Sequence, residues 1–462
     1  MSRQAAITAA VETLDSGSFQ ENLARRVAFP TESQNAGRRS GLANYLKGEL
    51  GPTLHRLGFQ WKVHVHDDWP FLIAQRIEDP GLATVLSYGH GDVVRGMDVK
   101  WDDGLSPWIL SERDGRWYGR GIADNKGQHS INLTALETIL DIRGQLGFNA
   151  KFIFEMGEEV LSPGLHSFAA INKEDLAADV FVASDGPRLS ADRPTLFLGS
   201  RGSISFDLAV EARDGSHHSG NWGGLLSDPA TQLANAIACI CGPSGRILVP
   251  EWVPKEIPLN VRKVLADCEI QSQPEGPRID ADWGEPGLTA AEKLYAWSSF
   301  CVLAFEAGNP NAPVGAIPGS AWARCQLRFV VGVDTDDILP ALRRHLDSKG
   351  FENVSITPDS NQMFRATRLD PDNPWVTWCA ESVERTTGIK PAILPNLGGS
   401  LPNDVFSEVL GLPTIWVPHS YPKCSQHAPN EHMPIEIARE GLAIMAGIYW
   451  DLGEMKEKIP RP

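Results

Sequence analysis

The chain has 462 residues, 42% of them hydrophobic, which is too long for a single compact core and sets two domains as the first expectation. Its 58 acidic against 42 basic residues leave a net charge of −16, which repels polyanions and excludes a basic stripe for nucleic acid. Seven cysteines, an odd number lying between Cys239 and Cys424, exclude the even framework of a disulfide-stapled secreted domain and point to a reducing compartment.

The opening stretch MSRQAAITAAVETLDSGSFQENLARRV is polar throughout and lacks the apolar core of a signal peptide, and no later run is long enough to span a bilayer. A cytoplasmic protein is the expectation. Short β-rich runs then alternate with helical patterns, as in a sheet with crossover helices. Buried strands are predicted at Thr84 to Tyr88, Lys151 to Met156 and Val180 to Ala183, each followed at once by charged or glycine-rich residues. Between the first two, Leu133, Leu136 and Leu140 form the apolar stripe of a helix.

After Arg201 the pattern changes. Ser203 to Ala212 alternates as a half-exposed strand, and Pro229 opens a helix to about Cys241. Cys239 and Cys241, two apart on that helix, read as core packing rather than as metal ligands. Ala323 to Val331 reads as a strand, Asp334 caps a helix through Lys349, and Glu352 to Thr357 reads as another strand. Val249 to Gly287, rich in Pro, Glu and Asp, shows no period and is expected to be loop. From about Asn373 the α/β pattern returns, with a helix to Thr387, a strand near Pro413 to Val417 and a last helix from Ile435 to Trp450. The expected fold is an α/β catalytic domain, a mixed sheet flanked by helices, built from residues 1–199 and 361–462 and interrupted by an α+β domain at 200–360.

Residues able to do chemistry fall at the predicted strand ends, where ligands gather in open α/β sheets. His90 and Asp92 form a His-x-Asp pair, and alternate residues of an extended chain point the same way, so Asp92 can orient the imidazole. Asp124 stands in the glycine-rich segment GRGIADNKG just before a helix, where a carboxylate can bridge two cations. Glu158 and Glu159 are adjacent carboxylates that repel unless a cation or proton separates their roles, leaving one free for proton transfer. Asp185 follows the third strand, and His427 lies in a loop before the last helix. Imidazoles with carboxylates suit zinc, with cobalt or manganese as substitutes. Taken singly, each has a plainer reading: a His-x-Asp hydrogen bond, a solvated Glu-Glu face, an Asp helix cap. Their joint placement at successive strand ends argues for a site.

The segments YGHGDVV, GRGIADNKG, FEMGEEVLSPGL, SDGP, HHSGNWGG, PNLGGSLPNDVF and SQHAPNEH occur in an order that resembles the dizinc aminoacylase, carnosinase and glutamate carboxypeptidase family, the twentieth metallopeptidase family. The likeness runs from about Phe29 to Glu431 and looks closer to the carnosinase-like dipeptidase branch. It implies a zinc-peptidase-like catalytic domain with a ferredoxin-like lid that pairs two copies of the chain. It makes His90, Asp124 and Asp185 ligands of one metal and Asp124, Glu159 and His427 ligands of the other, with a cis peptide after Asp124. Glu158 is then the general base, and Asp92 counts among the catalytic residues through the imidazole that it orients. His218, rather than its neighbour His217, resembles the lid histidine that reaches the partner's site and steadies an oxyanion. Arg328 with Gly399 and Ser400 resembles the clamp for a substrate carboxylate. His419 and His432 are expected to be structural.

Two cations close together can hold a water between them and lower its pKa towards neutrality, with Glu158 taking the proton. The resemblance thus implies a two-metal hydrolase of dipeptides or N-acyl amino acids that keep a free carboxylate. An acetylornithine or succinyl-diaminopimelate type deacylase is the alternative on the same fold, and a metal-free binding protein the alternative of another class.

Overall fold

The computed structural model describes residues 2–270, 277–359, 363–455 and 459. The chain divides into two compact units, the first made of Met1–Gly199, Leu369–Leu394 and Leu401–Pro462, the second of Ser200–Arg368 and Pro395–Ser400. The residues up to Arg368 and the short Pro395–Ser400 segment therefore group with the insert, where the sequence places the return to the catalytic domain at residue 361.

The first unit is built on an eight-stranded mixed sheet: β1 (Gln60–His66), β2 (Trp69–Arg76), β3 (Thr84–His90), β4 (Asn149–Glu155), β5 (Val180–Ala183), β6 (Thr195–Phe197), β7 (Ala392–Leu394) and β8 (Thr414–Trp416). Their spatial order is β1-β2-β4-β3-β5-β8-β6-β7. Strands β4, β3, β5 and β8 run parallel side by side. β4 and β5 are buried along their whole length, as strands covered on both faces must be, which is why they read as unbroken apolar runs. The hairpin β1–β2 turns at Asp67 and Asp68, both with positive φ. That is the geometry of a two-residue primed turn, but Asp-Asp is a weak signal for it, and the sequence reading did not name these strands. Helices Lys126–Arg143, Ile435–Gly453 and Arg3–Asp15 pack on one another beside the sheet. None of the helices among the described residues is long and apolar enough to cross a membrane.

The second unit has a four-stranded antiparallel sheet in the order Ser299–Ala307, Ser320–Phe329, Gly202–Glu211, Ser355–Pro358. With the helices Pro229–Ile240 and Ile338–Ser348 the chain order is βαββαβ, the ferredoxin-like arrangement. Strands Gly202–Glu211 and Ser320–Phe329 alternate buried with half-buried residues, so one face carries the core of Ile204, Phe206, Leu208, Cys325 and Leu327. Asp228 caps the first of these helices by accepting the Ala230 amide at 2.9 Å. Asp334 caps a 3-10 turn, Thr335–Asp337, and the α-helix begins only after it.

Part of the expected Val249 to Gly287 loop is ordered structure. Pro250–Trp252 forms a 3-10 turn anchored by Trp252, which is fully buried and donates to the Ile338 carbonyl at 2.9 Å, and Leu259–Leu265 forms an α-helix that buries Val261 and Leu265. Residues 271–276 of that stretch lie outside the described residues. The strand expected at Glu352 to Thr357 starts later, at Ser355, and Ser299–Ala307 is a strand the sequence reading did not name.

Candidate metal centre

Three adjacent parallel strands of the first unit end at chemistry. β3 closes on His90, the chain leaving β4 carries Glu158 and Glu159 in a 3-10 turn, and Asp185 stands two residues after β5. Parallel strands in register bring their carboxyl ends to one edge, so residues far apart in sequence meet there.

Asp124 reaches the same edge on a loop held from below. The carboxylate of Glu431 accepts the backbone amides of Gly121 at 3.0 Å, Ala123 at 2.9 Å and Asp124 at 3.1 Å, and Arg120 Nη1 at 2.8 Å. The Asp124–Asn125 peptide is cis. Asn125 donates to the Ser184 carbonyl at 2.8 Å, tying this loop to the segment after β5. At Gly127 a Cβ would run into the Ile122 carbonyl, so only glycine lets the helix start this close beneath the loop. Glu431 was quoted in the sequence motif without a role; its function depends on amides some three hundred residues away, which spacing does not reveal.

The result is two ligand sets that share Asp124. His90 Nε2 lies 3.0 Å from Asp124 Oδ1 and 3.6 Å from Asp185 Oδ2. His427 Nε2 lies 3.1 Å from Asp124 Oδ2 and 3.0 Å from Glu159 Oε2. Within each set one donor atom per residue falls within 4.8 Å of the others. His90 is fully buried, whereas His427 keeps 57% of its side-chain surface, so the centre opens on that side.

Hydrogen bonds fix the tautomer of His90. Its Nδ1 lies 3.0 Å from the main-chain carbonyl of Asp92, an oxygen that can only accept, so Nδ1 carries a proton and Nε2 faces the carboxylates. The carbonyl is nearer than the Asp92 carboxylate, at 3.4 Å from Nδ1. That carboxylate instead accepts the backbone amides of Glu158 and Glu159, both at 3.2 Å. Asp92 thus orients the imidazole mainly through its main chain and fixes the glutamate pair through its side chain.

The donors fit divalent cations. Two imidazoles and three carboxylates, all nitrogen and oxygen, match the ligand preferences of zinc and its substitutes. Asp185 Oδ2 is buried without a hydrogen-bond partner among the described residues, a lack that a cation would satisfy. Burial, then the charge of Asp124, pushes Asp185 up to about 7, and the same two causes push Glu159 up to about 7. Hydrogen bonds to Asp124 and Glu159 push His427 up to about 11. Burial works against charge on His90, but Asp124 and Asp92 overcome it and hold its pKa well above the ordinary range. Asp124 is likewise lowered against its burial by His427 and His90. The cluster gathers protons because it is an excess of carboxylate in a poorly solvated place, and cations satisfy the same demand.

Glu158 belongs to neither ligand set. Burial first, then repulsion by Glu159, Asp185 and Asp124, raises its pKa well above the usual carboxylate range despite the attraction of His90. Two further histidines of the first unit are packed: His419 is fully buried with Nε2 3.1 Å from Ser184 Oγ, and His432 Nδ1 lies 3.0 Å from the Asn430 carbonyl.

In the second unit, Arg328 Nη1 donates to Ser400 Oγ at 3.2 Å, bringing together two of the expected clamp residues, with Gly399 in the same loop. Arg201, which the sequence reading did not single out, donates through Nε to the Gly398 carbonyl at 2.8 Å. His218 is exposed and its Nδ1 accepts the Gly220 amide at 3.1 Å, which leaves the proton on Nε2. His217 is partly buried, its ring 6.4 Å from that of Trp222.

The chain is similar to known proteins over most of its length. The model of peptidase family M20/M25/M40 matches residues 86–451. The Beta-Ala-His dipeptidase of Mus musculus is 37% identical, the match covering 83% of this chain and 80% of that protein. The Cys-Gly metallodipeptidase dug1 of Schizosaccharomyces pombe is 24% identical over 95% of this chain and 96% of its own. Among solved structures, human carnosine dipeptidase 1 shares the fold, with a TM-score of 0.77, 23% identity, and coverage of 97% of this chain and 99% of that one.

Proposed function

This chain belongs to peptidase family M20/M25/M40 and is a metal-dependent peptidase, and from that premise we propose that it is a two-metal dipeptidase in which Glu158 moves the proton. The observation that carries this reading is the pair of ligand sets sharing Asp124, with Glu158 beside them and in neither.

His90, Asp124 and Asp185 would hold one ion and Asp124, Glu159 and His427 the other, most readily zinc, with cobalt or manganese as substitutes. When bound, such ions supply Lewis acidity, polarising the amide carbonyl and making water acidic enough to attack near neutral pH. Glu158 takes the proton of the attacking water and returns it to the leaving nitrogen, so that the amine departs neutral. Its carboxylate is free for this because Glu159 is turned to His427, at 3.0 Å. Asp92 keeps the pair in place through their amides.

In the second unit the guanidinium of Arg328 binds the carboxylate of the substrate's C-terminal residue, which its planar fork can hold with two parallel hydrogen bonds, and the Gly399–Ser400 loop closes the clamp. A dipeptide is preferred to an N-acyl amino acid as substrate because the relatives are named dipeptidases.

The active form is a homodimer in which His218 of one protomer serves the other's centre. This is supported by the edge strand Ser299–Ala307, which leaves Val302, Leu303 and Phe305 between 40% and 56% exposed, a surface that invites pairing. A cytoplasmic location is supported by all seven cysteines being free. The direct test is a hydrolysis screen of free dipeptides beside N-acyl amino acids and C-terminally amidated dipeptides. Turnover confined to the acyl amino acids would replace the dipeptidase by a deacylase.

A further inference from the structure

A cavity of about 530 Å³ lies within the second unit, walled by Trp283, Leu288, Leu294 and Trp297, with Arg201 and Ser299 also on its lining. The walls are mainly apolar. Apolar walls carrying a few polar groups are the composition of a ligand pocket.

The cavity adjoins the clamp. Ser299 is the cross-strand partner of Arg328, so their side chains rise from the same face of the sheet about 5 Å apart at Cβ. Arg201 donates through Nη1 to Ser299 Oγ at 3.2 Å and through Nε to Gly398 O at 2.8 Å. A Cβ at Gly398 would lie 3.4 Å from Leu294 Cδ1, so the loop that carries Ser400 rests on the cavity wall. Neither Arg201 nor Arg328 is paired with a carboxylate among the described residues. Burial first, then the charge of Arg328, pushes Arg201 down to about 10. Two guanidiniums side by side without a counter-ion mark where an anion sits, and the apolar cavity begins next to it.

We propose that this cavity receives the side chain of the substrate's C-terminal residue, and that it selects large aromatic residues over glycine or alanine. The proposal rests on the carboxylate clamp at Arg328. It follows from size and chemistry: glycine would leave the cavity unfilled, whereas a phenylalanine or tyrosine ring fills a space with mainly apolar walls.

The test uses the full-length, metal-loaded protein. Initial rates are measured on alanyl dipeptides ending in Gly, Ala, Leu, Phe and Tyr, and binding of free glycine, phenylalanine and tyrosine is measured by calorimetry. Expected are a kcat/KM for the Phe and Tyr peptides at least tenfold above that for Gly, and a matching order of amino-acid affinities. Leu294→Trp and, independently, Leu288→Trp fill the cavity and should bring both ratios close to one. Equal values from Gly to Tyr in the unsubstituted protein would overturn the pocket while leaving the dipeptidase intact. If no dipeptide were cleaved, the dipeptidase reading would fail, and the amino-acid affinities would still decide: a tyrosine preference abolished by Leu294→Trp supports the pocket, and its absence overturns it.

Discussion

The carboxylate of Asp92 accepts the backbone amide of Glu158 at 3.2 Å, although Asp92 follows β3 and Glu158 follows β4. The main chain of the proposed base is thereby held while its side chain is left out of both ligand sets. Glu159, one residue on, has its amide held by the same carboxylate but its own carboxylate turned to His427.

That division predicts opposite outcomes for two substitutions of the same shape. Glu158→Gln should retain the metal and the fold while losing about 100-fold or more in kcat, because an amide cannot shuttle protons. Glu159→Gln should lower metal content first, with activity following it. Metal analysis beside steady-state kinetics separates them; equal metal loss in both variants, with Glu158→Gln still active, would mean the assignment is reversed.

Arg328→Ala should raise KM for dipeptides with a free C-terminus by about tenfold to 100-fold, as expected for a charged hydrogen bond worth about 1.5–3 kcal/mol. For C-terminal amides the change should be much smaller. Equal losses on both substrates would make Arg328 a structural residue of the strand Ser320–Phe329.

His218→Ala and Glu158→Ala should each be inactive as homodimers and recover activity when mixed. In a mixed dimer the protomer that keeps Glu158 receives an intact His218 from its partner, so one working centre reappears after subunit exchange. Heterodimers demonstrated by mass but without activity would place the action of His218 within its own chain, or nowhere.

Acid should destabilise the fold through His419. Burial first, then the charge of Arg188, depresses its pKa well below the ordinary value of 6.5, so the folded protein keeps it neutral. Below pH 6.5 the unfolded chain takes up a proton that the folded chain refuses, so this contribution is full above that pH and lost as pH falls. His419→Asn should therefore show a shallower fall in Tm between pH 6.5 and 5 than the unsubstituted protein. Parallel slopes would remove His419 from the acid response.

The parts of this protein legible in its sequence are those coded locally. Buried parallel strands read as apolar runs, and the residues closing them, His90, Glu158, Glu159 and Asp185, stand where the run breaks. The insert announced itself by alternation, Gly202–Glu211 being buried at every second residue. What was not legible is set by contacts at long range. Glu431 matters because it accepts amides from Gly121 to Asp124, Trp252 orders its stretch by burial against the helix starting at Ile338, and Arg201 shows its role only beside Gly398 and Ser299. The β1–β2 hairpin escaped because its Asp67-Asp68 turn adopts positive φ without glycine or asparagine to signal it.

The central claim, hydrolysis by two ions on a shared carboxylate, is tested most directly by returning zinc to chelator-stripped protein while following dipeptide cleavage and bound metal together. Activity should be absent at the start, rise with added metal and level off near two ions per chain, with protons released as the ions displace those held by the histidines and carboxylates. Full turnover in the stripped protein, or two bound ions without turnover of any dipeptide, would contradict it.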